Sequence, residues 1–198
     1  QMLSQNNNKP VINSVGGFEE LKSLVLSAKK GDNQAFEEVY TQLYTPLYRY
    51  VISKCHDKEL TEDICQQTFL RFYEALDVYE PNKSPLAYLF TIAKRLLINH
   101  HEKKSSISFD ETLFETTADN SVDILKETHI NLLAKSINEY LPALTLDERE
   151  VIRLYFYAEL GYKEISTIIE KEESGIRKIK ERALKKLRFL TKHLYEGI

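Results

Sequence analysis

Apolar residues recur every three or four positions along most of this chain, the spacing that gathers them on one side of a helix. From Phe18 to Lys30 the series is Phe18, Leu21, Leu24, Val25 and Ala28, and Gly31 ends it as a C-terminal glycine would. Asp32 is then placed to cap a second helix. That helix carries Ala35, Phe36, Val39, Tyr40, Leu43, Leu47, Tyr50 and Val51, with Pro46 either kinking or restarting it. A third, between Lys58 and Leu76, buries Leu60, Ile64, Thr68, Phe69, Phe72 and Leu76, and leaves Glu62, Asp63, Gln66, Gln67 and Arg71 on its other side. After a loop at 77–83, Ser84-Pro85 supplies an N-cap and a proline at the first helical position. The fourth helix packs Leu86, Leu89, Phe90, Ala93, Leu96 and Leu97.

Between Ser105 and Asp123 the periodicity stops. The stretch holds Asp110, Glu111, Glu115, Asp119 and Asp123 with no basic residue, the pattern of an acidic linker. A helix from about Val122 to Tyr140 follows, then Pro142, then Thr145-Leu146-Asp147-Glu148, whose Thr and Glu three apart make a capping box. Further on, Ile165, Ile168 and Ile169 form the apolar face of a short helix. Glu170-Lys171-Glu172 interrupts it, and a second series runs through Ile176, Ile179, Ala183, Leu187 and Leu190. Two short helices across a tight turn, the second basic, predict a helix-turn-helix. No strand-like alternation of any length is present. The chain is therefore expected to be all-α: a lead-in at 1–17, a four-helix module at 18–104, an acidic linker at 105–121, and a helical module at 122–198 containing the helix-turn-helix.

Charge sharpens this picture through its location. The net charge is −3, yet Arg177 to Lys192 holds eight basic residues and one acid, Glu181. Any contact with nucleic acid must come from local patches, of which this is one. Cys55 and Cys65 lack the spacing of a redox pair or zinc site, so no metal or cofactor is expected. No P-loop, HExxH or nucleophile-elbow motif appears, so no catalytic residue is assigned and neither an enzyme nor a small-molecule substrate is expected. With 42% hydrophobic residues, no run long enough to cross a membrane and no leader, the expected compartment is the cytoplasm.

Two stretches together resemble the extracytoplasmic-function sigma factors of the sigma-70 family. The first comprises Gly31-Asp32 with Ala35-Phe36, Glu62-Asp63-Ile64-Cys65-Gln66-Gln67-Thr68-Phe69, and Ala87-Tyr88-Leu89-Phe90-Thr91-Ile92-Ala93. The second comprises Leu141-Pro142-Ala143-Leu144, Arg149, Gly161-Tyr162-Lys163-Glu164-Ile165 and Arg182-Ala183. The family usually has Trp where Tyr88 stands, Asn where Arg95 stands, a basic residue near Glu102, and a Gly, an apolar residue and a Ser at Glu170-Lys171-Glu172. The resemblance implies a subunit that binds core RNA polymerase and promoter DNA and directs initiation, with an anti-sigma factor, often membrane-bound in the family, as a further partner. It implies polymerase binding by Glu62, Asp63, Gln66 and Gln67. Reading of the −35 element falls to Glu173, Ser174, Arg177, Lys178, Glu181 and Arg182, where Arg can hold guanine edges and Glu can accept from cytosine. Contact with the −10 element falls to Tyr79, Asn82, Lys83, Lys94, Arg95 and His100, with Tyr79 open to a core role instead. A stand-alone helix-turn-helix regulator, binding DNA without polymerase, is the alternative.

Overall fold

Most of the helices begin where the sequence supplies an acceptor for the first free amides. The computed structural model describes residues 15–80, 82–105 and 139–192, without the side chains of 15–18 and 103–105. α1 spans Val15–Lys29, three residues earlier than the apolar series predicts. The added turn is Val15-Gly16-Gly17, where the first amides need no intrahelical partner, so glycines extend the helix cheaply. Gly31 takes φ +94°, a left-handed conformation open to glycine, and turns the chain into α2, Asn33–Cys55. Asp32 caps α2 by accepting from the amides of Gln34 and Ala35. Pro46 lies buried inside α2 and does not restart it. α3, Lys58–Glu74, is capped by Asp57, which accepts from the Leu60 amide. It stops before Leu76, which opens a 3₁₀ turn, Leu76–Val78. α4, Pro85–Ser105, starts as its Ser84-Pro85 pair predicts, with Ser84 Oγ accepting from the Ala87 amide. The expected linker and most of the helix from Val122 to Tyr140 lie outside the described residues.

Beyond them, a 3₁₀ turn at Leu141–Ala143 leads to α5, Leu146–Ile152. The capping box is present: Thr145 Oγ1 accepts from the Glu148 amide, and Glu148 accepts from the Thr145 amide. α5 runs on into a π-helical segment, Arg153–Tyr157. α6, Tyr162–Ile169, and α7, Glu173–Leu190, form the helix-turn-helix. Among the described residues there are only helices, turns and loops.

The four N-terminal helices enclose Leu21, Val25, Val39, Leu43, Phe72, Leu89 and Phe90, all essentially without exposure. This core does not stop at the module boundary. Val151, Leu154, Ala158, Ile165, Ile168 and Ile176 continue it, because the π-helical segment packs on α2 and α6 packs on α4. A smaller cluster of Leu141, Leu144, Ile152, Ala183 and Leu187 ties α5 to α7.

Candidate nucleic-acid and docking interface

On α3 the four acids and amides share one arc, since positions 62, 63, 66 and 67 fall within about 140° at 100° per residue. Asp63 and Gln66 are exposed, and Glu62 and Gln67 are half-buried. Gln67 Nε2 donates to Asp63 at 2.8 Å, and Glu62 lies 3.9 Å from Lys58. Leu70 projects from the middle of this arc with 58% of its surface in water, and Tyr73 flanks it at 46%. Neither was assigned from the sequence, because the apolar series of α3 is complete without them. An isolated exposed leucine is unremarkable, but one centred among acids and amides on a rigid helix fits a docking surface.

The outward face of α7 gathers Ser174, Lys178, Glu181 and Arg182, all exposed, and the last three line a shallow groove with Gly175 and Lys185. Lys185 extends the predicted set. Arg177 sits at the edge of this face. Its guanidinium lies 4.0 Å from the Tyr162 ring centroid and 3.6 Å from Glu173, so α6 and the first turn of α7 hold it in place. Two of the eight basic residues are engaged by neighbouring elements instead. Lys180 lies 4.1 Å from the Tyr155 ring centroid and donates to the Tyr162 hydroxyl; Lys186 pairs with Glu148 at 2.7 Å. Helical position explains the split: Lys180 and Lys186 flank the buried stripe of Ile176, Ile179, Ala183 and Leu187, whereas Lys178 and Lys185 lie opposite it.

The turn between the two helices is built without a side-chain cap. Glu170 ends α6 in the left-handed region at φ +59°, Lys171 pairs with Asp147 at 2.9 Å, and Glu172 occupies the N-cap of α7 with no side-chain bond to its amides. Glu172→Ser supplies the missing acceptor. It is expected to stabilise α7 by about 0.5–1 kcal/mol and, by removing a charge near phosphate, to tighten duplex binding. A thermal melt and an anisotropy titration across a salt series check both; an unchanged melt would show that the turn is already satisfied.

The residues assigned to the −10 element are not brought together. Tyr79 is 3% exposed, its ring 6.4 Å from that of Phe72 and 5.9 Å from that of Tyr88. Its hydroxyl donates to the Lys83 carbonyl and its carbonyl accepts from Lys29 Nζ, so it closes the loop after α3 and presents no stacking surface to a base. Burial pushes its phenol up to about 12. Asn82 and Lys83 are exposed, with Lys83 paired to Glu80 at 3.0 Å. Lys94, Arg95 and His100 point in three directions from α4, Lys94 and His100 being about 120° apart. His100 joins Asp63, Gln67, Arg71 and Asn99 along a groove between α3 and α4, while Lys94 is close enough to Lys54 for the two charges to repel.

Both thiols are free. Cys65 is fully buried, which pushes it up to about 12, and Cys55 Sγ lies 3.3 Å from Thr61 Oγ1. They serve packing here. Among the described residues no helix is long and apolar enough to cross a membrane.

Residues 36–107 match the family model for sigma-70 region 2, and residues 140–188 match the model for sigma-70 region 4. The chain belongs to the sigma-70 family. Relatives place this sigma factor in the extracytoplasmic-function group. It is 29% identical to the extracytoplasmic-function sigma factor SigM of Bacillus subtilis (strain 168), over 78% of this chain and 93% of that protein. It is 26% identical to BldN of Streptomyces coelicolor, over 84% of this chain and 64% of BldN. Two solved structures share its fold: CnrH in complex with the cytosolic domain of CnrY, with TM-score 0.67 and 20% identity over 88% of this chain and 98% of CnrH, and RpoE of Bartonella quintana in complex with the anti-sigma factor NepR, with TM-score 0.62 and 23% identity over 79% of this chain and 96% of RpoE. Region 2 therefore coincides with α2 to α4 and the α3 face, and region 4 with the helix-turn-helix.

Proposed function

We propose that this sigma factor docks on core RNA polymerase through α3, with Glu62, Asp63, Gln66 and Gln67 around Leu70, and reads the −35 element with the outward face of α7. The observation that carries this reading is the presence, in one chain, of an exposed acid, amide and leucine face on region 2 and a solvent-facing basic reading helix on region 4. The −10 element then falls to cations of region 2, exposed Lys83 and Arg95 and half-buried Lys94, with exposed Asn82, rather than to Tyr79. The protein acts as a non-catalytic initiation subunit in the cytoplasm. Because CnrH and RpoE are seen bound to CnrY and NepR, an anti-sigma factor is a natural partner here too.

Reconstitution with core polymerase and promoter templates, scored for new transcription starts, tests the whole reading. Asp63→Ala with Gln66→Ala is expected to weaken assembly with polymerase roughly tenfold while helical content stays unchanged, because both groups face outward. Unaltered affinity in a titration removes the docking assignment. A stand-alone regulator would instead bind its operator at full affinity without polymerase, and nothing in that role needs the α3 face.

A further inference from the structure

Arg177 on the reading helix is oriented by an aromatic residue of the helix before it. It lies in the second turn of α7, near the end of such a helix that meets base edges. Its guanidinium carbon is 4.0 Å from the centre of the Tyr162 ring. At that distance it lies over the face, because a position in the ring plane would hold it roughly 5 Å away. Tyr162 is the first residue of α6 and is itself fixed from two sides. Its ring centre lies 5.3 Å from that of Tyr155, which packs against the main core, and its hydroxyl accepts from Lys180 Nζ. Lys180 Nζ also lies 4.1 Å from the Tyr155 ring centre, so one cation joins both phenols. Burial acts to raise the Tyr162 phenol, but the hydrogen bond from Lys180 outweighs it and holds the group below its ordinary value.

A guanidinium stacked on an aromatic face keeps its N–H donors pointing outward around its rim, the geometry needed to meet guanine O6 and N7 together. The ring face takes none of those donors. Glu173 does compete for them, with Oε2 3.6 Å from Arg177 Nη2, but the two side chains are 46% and 54% exposed, so this pair yields to a base edge at little cost. Lys178, next along α7 and exposed, is an ammonium, a point charge suited to phosphate. The two neighbouring cations are therefore fitted to different tasks.

We propose that Tyr162 is a positioning residue for sequence reading: by carrying Arg177 on its ring, itself held by Tyr155 and Lys180, it commits that arginine to a guanine edge. The inference rests on the −35 reading by α7 given in the preceding section. An unsupported arginine reaches phosphate oxygens as readily as bases and orders its long side chain only on binding, and both effects lower selectivity. A ring at the first position of α6 thus adds to specificity through Arg177, without a contact of its own to the base.

The test uses the full chain assembled with core polymerase on promoter templates randomised across the −35 region, with the transcribed templates counted by sequencing. Arg177→Ala defines the position: it is expected to abolish a guanine preference of about tenfold or more at one base pair. Tyr162→Leu is expected to cut the preference at that pair by about three- to fivefold, while preferences at the other pairs change by less than about twofold. Tyr162→Phe keeps the ring and is expected to restore the preference to within about twofold of the wild type. In the Arg177→Ala background, Tyr162→Leu should change nothing further at that pair. Thermal melts run beside the selection, and if Tyr162→Leu is unfolded at the assay temperature, Tyr162→Met, of similar bulk and without a ring, is read in its place. A guanine preference that survives loss of the ring, or that falls equally with Tyr162→Phe, overturns the positioning role. A uniform loss at every pair, additive with Arg177→Ala, marks Tyr162 as structural only and overturns it as well. If Arg177→Ala leaves every preference of the wild type in place, the −35 reading by α7 itself fails, and the role of Tyr162 fails with it.

Discussion

Leu70→Asp is expected to reduce the affinity for core polymerase by at least thirtyfold while the protein folds and melts almost normally. Burying the 58% of Leu70 that is exposed is worth about 1–1.5 kcal/mol to any partner that covers it. An aspartate there forfeits this and places a third carboxylate beside Glu62 and Asp63, where its desolvation under a partner costs further kcal/mol. A basic partner surface would attract the added charge, but that attraction acts mainly on the encounter rate and at the rim. At the centre of the arc desolvation dominates, so the sum exceeds about 2 kcal/mol. The fold loses only the helix-propensity difference, about 0.5 kcal/mol, because Leu70 is not in the core. Titration of labelled protein with core polymerase, beside a thermal melt, measures both quantities. Affinity within threefold of the wild type would move the docking surface off α3.

The helices were legible because burial on a helix repeats with a fixed period and because their ends carry specific chemistry. Asp32, Ser84 and the Thr145, Glu148 pair each mark a helix start that needs an acceptor, and the structure uses all of them. Which side of a helix meets which neighbour is a different kind of information. Tyr79 has the polar tip and loop position of a base-stacking residue, yet a neighbouring ring on each side and a carbonyl for its hydroxyl draw it into the core. Lys94, Arg95 and His100 are close in sequence but diverge around α4. Leu70 reads in one dimension as an ordinary apolar position, and only its exposure among polar neighbours distinguishes it. Glu150 has the opposite problem: within Asp147-Glu148-Arg149-Glu150 it looks like one more surface charge, while its partners Tyr50 and Lys54 lie about a hundred residues away. Non-local pairs leave no periodic trace. The π-helical segment that brings Arg153 beside them is equally silent in the apolar pattern.

Glu148→Ala is expected to destabilise region 4 by about 2–3 kcal/mol, the largest stability effect anticipated for a charged residue here. Glu148 is 3% exposed yet ionised, and two groups account for that: its carboxylate accepts from the Thr145 amide at 3.0 Å and lies 2.7 Å from Lys186 of α7, while its own amide donates to Thr145 Oγ1. Alanine deletes the reciprocal half of the capping box, about 1 kcal/mol, and leaves the Thr145 amide short of an acceptor. It also removes a polar tie between the start of α5 and the reading helix, at the edge of the Leu141, Ile152, Ala183 and Leu187 cluster. Lys186 is 45% exposed and can return to water, so its loss adds little. Glu148→Gln keeps the cap geometry and is expected to lose less than half as much. The same residue sets an acid dependence. Although burial alone would raise it, hydrogen bonds from Lys186 and the Thr145 amide hold the Glu148 carboxyl below its ordinary 4.5. A depressed folded value means that its contribution is complete above the unfolded value and fades as pH falls through the folded one. Melting of the wild type should therefore drop more steeply below about pH 4.5 than that of Glu148→Gln, which has no proton to take up there. Parallel acid slopes for the two proteins would show that Glu148 is not the group that links region 4 to pH.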